Sequence, residues 1–124
     1  MVARLDHTIV ASRDKHVSAS FLCRILGLDP PGTFGHFVTV EVGNGVSLDY
    51  DDATDVPSQH FAFLVDDDEF DPIFERIKSE GVTYFADPGH HRSGQINTRD
   101  GGRGFYFCDP DGHNMEVLTR RYGS

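Results

Sequence analysis

The chain has 124 residues, 38% of them hydrophobic and ten of them phenylalanine, which is one domain's worth of core rather than two. Eleven basic against twenty acidic residues leave a net charge of −9, which speaks against nucleic acid as a partner, because a phosphate backbone is bound through a basic surface. No apolar run approaches the roughly 20 residues of a membrane span, and MVARLDHTIV is too short and polar for a secretory signal. No membrane partner and a cytoplasmic location are expected.

Taken in chain order, residues 4–10 alternate and predict a strand. Val17, Phe21, Leu22, Ile25 and Leu26 then fall on one face of a helix that Gly27 stops. Residues 36–42 and 46–50 read as strands, and residues 51–58, aperiodic and containing Pro57, as a linker. Residues 59–65 give another strand. Phe70, Ile73, Phe74 and Ile77 recur at helical spacing, with Asp66 to Asp68 offering an N-cap and Pro72 near the first turn. A short strand at 83–85 and longer ones at 104–108 and 114–119 follow. Cys23 on the first helix and Cys108 on a strand have no CxxC spacing, so two reduced, partly buried thiols are expected, with neither a disulfide nor a cysteine-ligated zinc.

The chain also repeats itself. DHTIVASRDKHVSASFLCRILGL, from Asp6, and QHFAFLVDDDEFDPIFERIKSEGV, from Gln59, both open polar-His. Each passes through an alternating strand, reaches aspartate, turns helical and ends at glycine. Each half then closes with a glycine followed four residues later by a carboxylate, Gly45 to Asp49 and Gly112 to Glu116. The predicted architecture is α+β, a β-α-β-β-β module made twice: module one at about 4–50, the linker at 51–58 and module two at about 59–120, in one domain. The second half carries an insertion, ADPGHHRSGQINTRDGGRG.

The repeat bears on Glu116, a carboxylate set between Met115 and Val117 in a run that otherwise belongs to a core. Such a charge is costly unless paired or bound to a metal. The repeat assigns His7, Asp49, His60 and Glu116 equivalent inward places. Alternation along 59–65 sets His60 opposite Phe61 and Phe63, away from the helix, and Tyr106 shares the face of Glu116. Two imidazoles with one or two carboxylates suit a borderline divalent metal such as Fe, Zn, Ni, Mn or Co, and two histidines with one carboxylate match the facial triad of non-haem iron oxygenases. A histidine at a strand start is by itself more often a structural residue.

QHFAFLV, GRGFYFCDPDGHNMEV and the doubled module resemble the vicinal-oxygen-chelate superfamily of glyoxalases, bleomycin-resistance proteins and type I extradiol dioxygenases, over nearly the whole chain. The resemblance implies two βαβββ modules forming a curved mixed sheet around a metal, and a homodimer. It implies His7, His60 and Glu116 as metal ligands, with Asp49 where glyoxalase I has a fourth, a glutamate. It puts Tyr106 where fosfomycin-resistance thiol transferases have a substrate-facing tyrosine, and Gly104 where they have a serine. The expected substrate is a small molecule chelated through adjacent oxygens. Glu116 and Tyr106 are the candidate catalytic groups, for glyoxalase-like lyase or isomerase chemistry or for extradiol-dioxygenase-like chemistry. The alternative is a drug-sequestering protein of the bleomycin-resistance type. His90 and His91, in PGHHRSG, fit either a lid or an ordinary solvated loop.

Overall fold

The computed structural model describes residues 2–123. Their elements run β1 (His7–Ser12), α1 (Lys15–Leu26), β2 (Gly32–Phe34), β3 (Phe37–Glu41) and β4 (Ser47–Asp52), then β5 (His60–Leu64), α2 (Asp67–Ser79), β6 (Tyr84–Phe85), β7 (Gly104–Cys108) and β8 (Asn114–Leu118). The fold is therefore α+β, a βαβββ order made twice. The chain divides into two compact units, residues 1–57 and 58–124, each with its own four-stranded mixed sheet.

In the first unit the sheet order is β1-β4-β3-β2. β1 and β4 are parallel, with His7 opposite Ser47 and Ile9 opposite Asp49, a pairing that requires a crossover, and α1 supplies part of it. Asp14 caps α1 by accepting from the backbone N–H of His16 and Val17 at 3.1 and 3.3 Å. Gly27 ends it in the left-handed conformation, φ 71°, which only a residue without Cβ adopts freely. Ala19, Leu22 and Ile25 are wholly buried. Val17, read from the sequence as part of that face, is 53% exposed. At 100° per residue it lies roughly 40° beyond Phe21, the edge of the buried arc. The strands also differ from the sequence reading: β1 starts at His7 rather than at residue 4, and β2 at Gly32–Phe34 was not among the expected strands. β1 runs to Ser12 and β4 to Asp52, so residues 51 and 52 belong to the sheet rather than to the linker, because the parallel pairing continues through Ser12 opposite Asp52.

In the second unit the order is β5-β8-β7-β6. α2 opens with Glu69 accepting from the Asp66 backbone N–H at 2.9 Å, half of a capping box. Pro72 is the sixth helical residue, beyond the first turn. Its missing N–H deprives the Asp68 carbonyl of its regular helical partner, a cost that a place in the first turn would not carry. The acidic run at 66–69 is more than solvated surface. Arg103 lies 4.3 Å over the Phe70 ring and bonds Asp71 at 2.7 Å and Asp67 at 3.1 Å. Beneath it Phe105 packs against Phe70, Phe74, Tyr84 and Phe107, with ring centroids 5.4–6.2 Å apart.

Phe105 is fully buried in that aromatic cluster. Phe105→Ala is expected to lower unfolding free energy by roughly 3–5 kcal/mol, whereas Val17→Ala stays within about 0.5 kcal/mol. Urea denaturation followed by circular dichroism measures both.

Candidate metal centre and its surroundings

The DPDGH turn sets up the second unit's site. The Asp109 carboxylate accepts from the backbone N–H of Asp111 at 2.9 Å and of His113 at 2.8 Å. Gly112 takes φ 83°, open to glycine because no Cβ crowds there. His113 Nδ1 then accepts from the Gln59 backbone N–H at 3.0 Å, which ties the start of β5 to the turn leading into β8. Asp109, Asp111 and His113 offer ligand atoms within 4.8 Å of one another, all three buried. They nevertheless make a poor cation site. The Nδ1 lone pair is already engaged, so a neutral His113 ring carries its proton on Nε2 and presents no free donor pair. Burial, ahead of the backbone hydrogen bonds that oppose it, raises the Asp109 pKa above its ordinary value.

The DPDGH turn fixes the register of the parallel pair β5 and β8, in which His60 faces Asn114 and Ala62 faces Glu116. The antiparallel β7 sets Tyr106 opposite Glu116. His60, Glu116 and Tyr106 thus come together as the sequence predicts. His60 Nε2 is 3.1 Å from Glu116 Oε1, and the rings of His60 and Tyr106 stack with centroids 6.0 Å apart. Glu116 is 1% exposed.

The tautomer of His60 follows from its other nitrogen. Nδ1 is 2.9 Å from the Asn114 carbonyl oxygen, which can only accept, so Nδ1 carries the proton. In the neutral ring Nε2 is then a bare lone pair, and it faces a carboxylate oxygen. Two acceptors at 3.1 Å repel unless a cation or a second proton lies between them. The separation also suits a metal. Two cis ligands at about 2.1 Å from an octahedral cation lie about 3.0 Å apart, and tetrahedral ones about 3.4 Å. A histidine bonded to a carbonyl through its far nitrogen is the usual outer support of a metal ligand. The residues present fit a divalent metal.

Two groups that the sequence reading missed complete the surroundings. Tyr122 donates a short hydrogen bond to Glu116 Oε2, and its hydroxyl is 2.9 Å from that of Tyr106. Arg99 Nη1 donates to the Tyr106 hydroxyl at 2.8 Å. Because Tyr122 gives its proton to the carboxylate, Tyr106 must give its own to Tyr122. The donors therefore run one way, from Arg99 through both tyrosines to Glu116. Burial, then the bonds to Glu116 and Tyr106, push the Tyr122 pKa well up, so Tyr122 keeps its proton at neutral pH. Nothing periodic marks Tyr122, which lies past the last strand.

The first unit holds His7 and Asp49. Both line a cavity of about 430 Å³ whose wall includes Asp6, Phe34, Thr39 and Ser47. Asp49, 8% exposed, accepts from Ser47 Oγ at 2.6 Å. His7 Nδ1 lies 2.7 Å from Asp6 Oδ2. That hydrogen bond chiefly, with the Asp49 charge adding to it against desolvation, raises the His7 pKa above 6.5. PGHHRSG is held by hydrogen bonds to Asp87. The Asp87 carboxylate accepts from the backbone N–H of His91 at 2.9 Å and of Arg92 at 2.7 Å, which holds the Asp87 pKa below its ordinary value.

Residues 4–117 match the family model of the Glyoxalase/Bleomycin resistance protein/Dioxygenase superfamily. The chain is 32% identical to Glutathione transferase FosA of Serratia marcescens, over 94% of this chain and 81% of that protein. It is 55% identical to the solved structure of Oxidase ChaP-H1, covering 99% of this chain and all of that one, with a TM-score of 0.97. With Oxidase ChaP-H2 the identity is 58%, the coverage 100% and 98%, and the TM-score 0.97.

Calorimetric titration with Zn(II) checks the acceptor pair. His60→Ala is expected to lose more than about 100-fold in affinity, Tyr122→Phe about tenfold as an outer partner of Glu116, and Thr83→Ala nothing. For His7, the C2 proton resonance should titrate above pH 6.5 and return toward that value in Asp6→Asn. Because its pKa is raised on folding, the stability this group adds is present below pH 6.5 and is lost as pH climbs through the folded pKa.

Proposed function

The chain belongs to the Glyoxalase/Bleomycin resistance protein/Dioxygenase superfamily, and on that premise we propose that it is a divalent-metal-dependent enzyme that oxidises a small molecule held through two adjacent oxygens. Its metal ligands are His60 and Glu116, with His7 as the third and Asp49 as a possible fourth. The protein acts as a homodimer. The observation that carries the metal is His60 Nε2, its ring bonded to a carbonyl through Nδ1, facing the buried Glu116 carboxylate at 3.1 Å. The oxidative branch is supported by 55% and 58% identity to Oxidase ChaP-H1 and Oxidase ChaP-H2. Two histidines and a carboxylate are also the ligand set of non-haem iron oxygenases.

A bound cation would polarise the chelated oxygens and stabilise negative charge developing on the substrate. The chain's own residues do the rest. Glu116 is oriented by the Tyr122 hydroxyl, and Tyr106, whose hydroxyl accepts from Arg99 at 2.8 Å and donates to Tyr122, positions that hydroxyl on the same sheet face. Arg99 also lies 5.7 Å from the centre of the Tyr106 ring, which holds the phenol in place.

Thiol transfer, the activity named for the relative FosA, fits less well. A Cβ at Gly104 would meet Asn97 Oδ1 and the Val117 carbonyl at 3.2 Å, so the serine that this resemblance calls for would be crowded. Glyoxalase I chemistry is weakened by Asp49, a methylene shorter than glutamate and already bonded to Ser47.

Metal analysis and a substrate screen test the proposal together. Protein purified without chelators should bind close to one equivalent of Fe(II) per chain and consume oxygen with a catechol or hydroxyquinone. Glu116→Gln should reduce turnover by at least about 100-fold. Turnover of methylglyoxal with a thiol, but no oxygen uptake, would overturn the oxidative branch. Tight drug binding that survives EDTA, without turnover, would overturn catalysis.

A further inference from the structure

Cys108 is exposed and lies at the end of β7, paired with Asn114 and two residues beyond Tyr106. It therefore shares a sheet face with Tyr106 and Glu116. Its partner is His90, whose Nδ1 is 4.0 Å from the Cys108 sulfur. Such contacts are often long before a substrate arrives.

The protons on this pair can be assigned. Asn114 Nδ2 donates to the Pro88 carbonyl at 3.3 Å, which fixes the amide so that Oδ1 faces His90. That oxygen lies 2.9 Å from His90 Nε2 and only accepts, so Nε2 carries the ring proton. The Nδ1 lone pair is left aimed at the thiol. The ring is held from two further sides. It stacks on Phe85 with centroids 4.2 Å apart and planes 3° from parallel, and its backbone takes φ 60°, a conformation that costs a residue bearing a Cβ and that marks functional sites. His90 N–H donates to the Asp87 carbonyl at 3.2 Å, the residue that anchors the loop. A thiol, a base with its lone pair free and an amide that fixes the base's tautomer make the arrangement of a nucleophilic cysteine.

We propose that Cys108, His90 and Asn114 form a base-assisted thiol site that adds to α,β-unsaturated carbonyl compounds. Cys108 is the nucleophile, His90 takes its proton, and Asn114 positions His90. In the addition the sulfur forms a bond to the β-carbon. The π pair moves to the carbonyl oxygen as an enolate, and the thiol proton passes to His90 Nδ1 and from there to the α-carbon. No oxidant or reductant is consumed. Burial and then the Asp109 charge raise the Cys108 pKa, so the resting group is a thiol that needs the base rather than a standing thiolate. The site does not depend on a bound cation and goes beyond the oxidation proposed above.

N-ethylmaleimide tests it on the full chain, with the modified peptide identified by mass spectrometry. Cys23, 5% exposed, serves as the unreactive internal control. At pH 6.5–7 Cys108 should react faster than N-acetylcysteine, although its own pKa is raised. His90→Asn, which tolerates positive φ, should slow the reaction about tenfold or more at that pH, and the gap should close at high pH. Cys108 reacting more slowly than N-acetylcysteine in the wild-type protein would overturn the proposal without recourse to any variant. Equal rates for wild type and His90→Asn across pH 6–8 would overturn it as well.

Discussion

An imidazole lone pair and a carboxylate oxygen held 3.1 Å apart are the constraint on which the second unit is built. Each is locked in place by its other end. His60 gives its Nδ1 proton to the Asn114 carbonyl, and Glu116 receives the Tyr122 hydroxyl on Oε2. Their repulsion is relieved by positive charge between them, a proton or a cation, because Glu116 is too buried for water to screen it. The fold therefore stores an unmet demand for positive charge at one point. A divalent cation would meet that demand with two ligands at cis spacing.

The strands serve this point. Parallel pairing puts His60 beside Asn114, so that the same residue whose carbonyl sets the imidazole tautomer also lies two positions from the carboxylate. A one-residue slip would turn Glu116 to the helix side. The buried Asp109 and His113 prevent the slip by tying the DPDGH turn to Gln59 through backbone N–H groups. What reads as a metal-ligand cluster in composition is thus the device that fixes the register of the actual candidate ligands. The side chain of Asn114 serves a second constellation on the same face, as the acceptor that fixes the tautomer of His90.

The sequence carried the architecture because the hydrophobic period changes sharply from two to 3.6 and does so twice. It carried His60, Glu116 and Tyr106 because alternation decides which face a strand residue occupies. It failed where no period operates. Val17 fell outside the buried arc of α1 by a fraction of a turn, a difference that apolar spacing alone does not resolve. The ends of β1 and β4 depend on backbone pairing between segments about forty residues apart, which no local pattern encodes. The cost of Pro72 depends on which residue begins α2, which apolar spacing does not show. Tyr122 and Arg99 lie outside any alternating segment, and their meeting with Tyr106 is a tertiary event. Cys108 was read as partly buried from its strand, yet it sits at the strand's end and is exposed.

The central claim is that His60 Nε2 and Glu116 Oε1 share a divalent cation. A crystal structure of the metal-loaded protein, collected at the absorption edge of the metal, measures this directly. The account predicts one anomalous peak per site, about 2.0–2.2 Å from both atoms, with His60 Nδ1 still on the Asn114 carbonyl. A fully loaded metal bound elsewhere, with His60 and Glu116 left joined by a proton alone, would contradict it.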